Sequence, residues 1–221
     1  MTSQTGISGV RPSRRSGAGL ALGAILLLAC ALRLLPAAFL PADSFDMRNY
    51  RLMAEVALRF GNIYQEAPGV YPYTPLSLPL PAAAHLLASA LQWPFSFTMK
   101  LPTIVAELCI VALLYRVGIA GRGGSPRRGM AFALAYAVNP VAILISGFHG
   151  NVMPIASLLC LAAYHAIERS GAAVPPARDR YLGALLLGLG VAFRGFPVLL
   201  APVFALRLRR TNWPAFLAVA A

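Results

Sequence analysis

The chain predicts an all-α polytopic membrane protein, on three observations. Of 221 residues, 58% are hydrophobic and 12% charged, with mean hydropathy +0.68; a water-facing globule carries about a quarter charged residues. The apolar residues fall in runs long enough to cross a bilayer, and the arginines sit in short clusters between those runs. The net charge of +12, from 19 Lys+Arg against 7 Asp+Glu, therefore reads as positive-inside patterning rather than a nucleic-acid footprint. Cys30, Cys109 and Cys160 lie inside apolar runs with no CxxC spacing, which argues against a disulfide framework or a zinc site.

Residues 1–16 are a basic terminus, with Arg11, Arg14 and Arg15 preceding the apolar run Gly17–Phe39. Those 23 residues make about 34 Å of helix, longer than a signal peptide's apolar region, and predict an uncleaved first span with a cytoplasmic N-terminus. An outer loop follows over residues 40–75. Within it Phe45, Tyr50, Met53, Ala54, Ala57, Leu58 and Phe60 approximate a helical stripe, with Arg48, Arg51, Glu55 and Arg59 off it. That pattern suits an amphipathic helix at the membrane surface, stopped at Gly61-Asn62.

Residues 76–94 are apolar but carry Pro79 and Pro81 between Pro75 and Pro94, which predicts a proline-broken re-entrant or surface segment. Spans are expected at Leu101–Ala120, Gly129–Gly147, Val152–Ile167 and Tyr181–Leu206, the last split by Arg194-Gly195-Phe196-Pro197. Gly183, Gly188 and Gly190 suit close contacts between spans. If the first span runs outward and Arg122–Arg128 is cytoplasmic, one crossing separates them. Leu101–Ala120 supplies it, so the proline-rich segment either fails to cross or breaks the positive-inside pattern, and its prolines favour the first. The same count gathers Asp43, Asp46, His149, Asn151 and Arg194 on the outer face.

Each of these residues has a plain and a chemical reading. Asp43 and Asp46 are either solvated acids that cap the next helix or a general base facing a membrane-surface cavity. Tyr71-Pro72-Tyr73-Thr74-Pro75 is an aromatic belt and a helix start. His149-Gly150-Asn151 closes a span, with His149 an interfacial hydrogen-bonder. Arg194 is costly at the apex of a helix pair unless partnered, and a phosphate suits it best. Glu107 is mid-span and either pairs with another helix or lines the cavity.

The ordered run of an acidic motif after the first span, Gly61-Asn62-Ile63-Tyr64, Tyr71-Pro72-Tyr73-Thr74-Pro75-Leu76, Met99-Lys100-Leu101, Leu113-Leu114-Tyr115-Arg116, Asn139-Pro140, His149-Gly150-Asn151 and Phe193-Arg194-Gly195-Phe196-Pro197-Val198 resembles the GT-C superfamily of polytopic glycosyltransferases. The nearest likeness is to the glycosylphosphatidylinositol mannosyltransferase I catalytic subunit and its bacterial relatives, over about three-quarters of the chain. The resemblance implies a GT-C-type helical bundle in a bacterial cytoplasmic membrane with its active face outside. It implies inverting transfer of a hexose, often mannose, from a polyprenyl-phosphate donor to a lipid or glycan acceptor.

By the same resemblance Asp46 matches the essential acid, with Asp43 out of register by one, and Arg194 matches the basic residue that holds the lipid phosphate. His149, Asn151 and Tyr73 would contact sugar or acceptor. No metal constellation is evident in the sequence, and a divalent cation bridging Asp46 and the phosphate stays open. Met153 stands where the family carries an acid. Two alternatives therefore stand beside the enzyme: a non-catalytic scaffold subunit of the same origin, and a lipid-head-group transporter, which would need a second polar cluster on the cytoplasmic half. The apolar start Trp213–Ala221 leads us to expect an N-terminal fragment of a longer chain.

Overall fold

The computed structural model describes residues 14–40, 45–66, 68, 74–120, 123–170 and 175–208. Every regular element among them is a helix. Two helices are long and apolar enough to cross a membrane: Gly17–Phe39, within α1 (Arg14–Phe39), and α5 (Phe95–Ala120). A third span exists if α6 (Pro126–Ala137) is counted with α7 (Pro140–Ile143) and its π-type extension Leu144–His149, across a bend of 50°. On α1, Leu20, Leu27, Leu35 and Phe39 stand exposed, an apolar face that suits lipid contact.

Of the remaining expected spans, Val152–Ile167 is present at its expected length, shifted by one residue, and Tyr181–Leu206 is divided. α8 (Met153–Glu168) and α9 (Ala177–Phe193) have 16 and 17 residues, about 24–26 Å at 1.5 Å per residue, against a ~30 Å hydrocarbon core. α9 stops because Arg194 is extended (φ −149°, ψ 126°); a 3-10 turn, Phe196–Leu200, leads into α10 (Ala201–Leu208).

The proline-rich segment is not broken. After a 3-10 turn at Pro75–Ser77, α4 (Pro79–Leu91) runs continuously and ends at Gln92 in the left-handed region (φ 54°). Pro79 and Pro81 fall in its first turn, where backbone N–H groups have no intrahelical partner to lose. Thirteen residues make about 20 Å, too short to cross alone.

The amphipathic helix is present as α2 (Phe45–Leu58), followed by a single turn, α3 (Ile63–Glu66). Its buried face is Met47, Tyr50, Met53, Ala54 and Val56, packed on Ala84 and Ala88 of α4 and on Phe95. Tyr50, Met53 and Ala54 match the expected stripe. Phe45, Leu58 and Phe60 are exposed instead, because the core takes the 47, 50, 53/54 register and leaves them on the far side. Arg48, Arg51, Glu55 and Arg59 face outward as the stripe requires.

One ion pair joins α1, α5 and α6. Arg33 is 0% exposed and Glu107 1%, with Nη2 donating to Glu107 Oε2 at 2.8 Å and Nε to the same oxygen at 3.3 Å. Arg33 Nη1 donates to the carbonyls of Ala29 (3.1 Å) and Ala137 (2.9 Å). The Ala137 acceptor is free for a sequence-encoded reason. Asn139 accepts the N–H groups of Val141 (2.9 Å) and Ala142 (3.4 Å) on its own Oδ1. Pro140 has no N–H to return to Tyr136. The guanidinium reaches the Ala137 carbonyl freed at this bend, and its Nη2 also lies 3.4 Å from the Tyr136 carbonyl, which already accepts the Asn139 N–H.

Close approach of backbones completes the bundle. A Cβ on Gly118 would meet Gly129 Cα at 2.6 Å, and one on Gly129 would meet the Tyr115 carbonyl at 2.7 Å, so α5 and α6 touch main chain to main chain. Gly183 lies against Ile167 and sets the α8–α9 distance, while Gly190 makes only ordinary contacts. Where α8 meets α9, the Arg169 guanidinium bonds Asp179 and holds its carboxyl below the usual range. Glu168 pairs with Arg207. The three cysteines are free, and His85 packs on Phe95.

Arg33→Met leaves Glu107 without its cation and the Ala137 carbonyl without its donor, and should destabilise the protein by about 3–5 kcal/mol. The double variant Arg33→Met/Glu107→Leu should lose less than the sum of the single losses. Thermal unfolding in detergent reads both; additive losses would show that the two side chains do not depend on each other.

Candidate functional site

Four residues from three distant stretches of the sequence meet at one place. Asp46 lies in the first turn of α2, His149 ends the π-type extension, Asn151 precedes α8, and Arg194 follows α9. Asn151 Nδ2 donates to Asp46 Oδ2 at 3.0 Å, and His149 Nε2 lies 3.2 Å from the same oxygen. Asn151 Oδ1 in turn accepts from the Met153 backbone N–H at 2.9 Å and from Arg194 Nη2 at 3.2 Å. Among the described residues, both partners of the carboxylate converge on Oδ2. Oδ1 therefore keeps its lone pairs for a further proton donor. Asp46 retains 21% side-chain exposure and His149 46%, so the cluster opens to the surroundings.

Local geometry explains why these residues meet. The π-type turns of Leu144–His149 insert an extra residue per turn, a feature found often at functional sites. Gly150 then reverses the chain at φ +72°, in the left-handed region that glycine adopts without strain. The space is as restrictive as the angle: a Cβ on Gly150 would come within 2.2 Å of Met47 Cε and 3.0 Å of Lys100 Cγ. Gly147 is pressed on the Arg33 carbonyl, where a Cβ would sit at 2.7 Å. The α1 residue that clamps α5 and α6 thus also backs the turn that presents His149.

Thr74 donates its hydroxyl to the carbonyl of Ala192, two residues before Arg194, and so ties the Pro-rich loop to the Arg194 turn. Asp43 and Tyr73 lie outside the described residues. Met153, where the resembled family carries an acid, is the first residue of α8; its N–H bonds Asn151 and its side chain is 44% exposed. No group of three or more His, Cys, Asp or Glu side chains placed to hold an ion occurs among the described residues.

Sequence reasoning passed over Lys100. It is the only lysine, is 0% exposed, and its Nζ has no hydrogen-bond partner among the described residues. A signal for it exists. Lys100, Thr103 and Glu107 stand at i, i+3 and i+7, a buried polar stripe on one face of an otherwise apolar helix.

Gly150→Ala should cost about 1–3 kcal/mol from backbone strain alone and displace His149 and Asn151 from Asp46. Hydrogen–deuterium exchange over 144–153 should rise in the variant while α5–α6 stays protected. Unchanged exchange in this segment would contradict the assignment of the turn to Gly150.

Comparison with protein-family models, curated proteins and solved structures gives no match for this chain.

Proposed function

We propose that this chain is a membrane glycosyltransferase that moves a hexose from a polyprenyl-phosphate donor to an acceptor hydroxyl, with Asp46 as general base. The observation that carries the reading is the Asp46–Asn151–Arg194 hydrogen-bond chain, with a base at one end and a guanidinium at the other. Asn151 orients both, and His149 holds the carboxylate oxygen that the reaction does not use. The sequence resemblance to the GT-C superfamily supports the same roles.

In the reaction, Asp46 Oδ1 accepts the acceptor's hydroxyl proton as that oxygen bonds to C1 of the sugar. The C1–O bond to phosphate breaks on the opposite face, and its electron pair leaves on the phosphate, so the configuration inverts. Negative charge grows on the phosphate, where a preorganised guanidinium stabilises the transition state more than the ground state. An apolar groove of about 500 Å³, lined by Cys160, Leu161, Ile167, Leu200, Val203 and Phe204, also includes Phe196, two residues beyond Arg194, and offers a course for the donor's lipid chain. By the charge pattern of the loops the site faces outward, and by the resemblance the membrane is a bacterial cytoplasmic one.

A scaffold subunit is the second reading, favoured by Met153 in place of the family's acid. A transporter would need a second polar cluster on the cytoplasmic half, and Glu107, paired with Arg33, does not supply one.

The test uses the protein purified from its native membrane as the gene produces it, with polyprenyl-phosphate-mannose as donor. Asp46→Asn should lower turnover by about 10²–10⁴-fold while donor binding persists. Equal turnover in Asp46→Asn, or no transfer by the unaltered protein, would favour the scaffold.

A further inference from the structure

We propose that Lys100 is a second cation for the donor's phosphate, paired in function with Arg194, and that the two together hold the phosphate in its doubly charged leaving form. The inference rests on the glycosyl-transfer reading above and adds a residue to it.

The chain contrasts two buried cations. Arg33 is surrounded by a carboxylate and backbone carbonyls. Lys100, equally buried, has no acceptor for Nζ among the described residues, and Thr103 Oγ1, one turn along the same face, also has none. Burying an ammonium without a partner costs several kcal/mol, and an ionisable side chain inside a membrane-spanning helix ordinarily serves a ligand or an ion path. Its stem runs along the Gly150 turn: a Cβ there would meet Lys100 Cγ at 3.0 Å and Cε at 3.6 Å, and Met47 on its other side. Met47 adjoins Asp46, and Gly150 separates His149 from Asn151. The unpartnered ammonium therefore belongs to a side chain packed directly against the residues that carry the cluster.

Charge bookkeeping selects the ligand. Asp46, Arg194 and Lys100 together leave one net positive charge. A sugar phosphodiester brings one negative charge and neutralises it. Transfer moves a proton to Asp46 and leaves a phosphate monoester with two negative charges, matched by the two cations. With Arg194 alone the product state would carry an uncompensated negative charge. An electrostatic contribution that grows as the leaving group ionises is the kind that raises turnover.

The protein in lipid nanodiscs would be titrated with three probes: a polyprenyl phosphate, its methyl phosphodiester and the uncharged polyprenol. With Asp46→Asn standing in for the protonated acid of the product state, the protein should prefer the monoester over both. Lys100→Met should abolish the monoester-over-diester preference, a loss of about tenfold or more for a charged contact, and Lys100→Arg should restore most of it. Arg194→Gln should weaken monoester and diester alike. Lys100→Met should unfold at the same temperature or higher, since an unpaired buried charge is replaced by an apolar chain. If Arg194→Gln loses phosphate binding but Lys100→Met keeps the monoester preference, the transfer reading stands and the role of Lys100 is overturned. If the unaltered protein shows no preference for either phosphate over the polyprenol, both fall together.

Discussion

A carboxylate and a guanidinium buried in apolar surroundings must find each other, and in this chain that requirement organises the bundle. Arg33 reaches Glu107 from α1, and its remaining donors take the carbonyls of Ala29 and Ala137. The second of these is available only because Asn139 and Pro140 interrupt the α6 ladder. The bend creates the acceptor, the arginine fills it, and neither makes physical sense without the other. An orphaned carbonyl in hydrocarbon costs several kcal/mol, so the bend and the clamp are one device.

The consequences reach the opposite arm of the bend. Gly147 rests on the Arg33 carbonyl, which fixes the course of the π-type turns and so the position of His149. Gly150 then turns the chain in a conformation and a space that a side chain would not fit, and Asn151 emerges between Asp46 and Arg194. Elements distant in sequence thus deliver four polar side chains to one point. Rigid packing behind a site of this type is what keeps a base and a phosphate-binding cation at fixed separation.

Much of this was legible in the sequence, for identifiable reasons. The charge pattern of the loops put Asp46, His149, Asn151 and Arg194 on one face, and their side chains do meet. Glu107 announced its need for a partner by its depth, but nothing local named Arg33, because 74 residues separate them and only the crossing of α1 over α5 brings them together. The register of α2 was misjudged in part, since Phe45 and Phe60 look like core residues until α4 is seen to cover the other face. Pro79 and Pro81 read as breakers because composition does not say where a helix begins; in the first turn they initiate it. Lys100 was hidden by the apolar run around it, although its spacing from Thr103 and Glu107 carried the signal.

The central claim is that the Arg33 clamp holds the distant site together. Spin labels on the exposed residues Phe45 and Val198 flank the cluster, in a background where Cys30, Cys109 and Cys160 are replaced. Pulsed electron paramagnetic resonance in nanodiscs then measures the distance between them with and without Arg33→Met. The account predicts one narrow distance distribution in the parent and a broad or displaced one in the variant. An equally narrow, unshifted distribution in a folded variant would contradict it, and would mean that the site is held by the polar cluster alone.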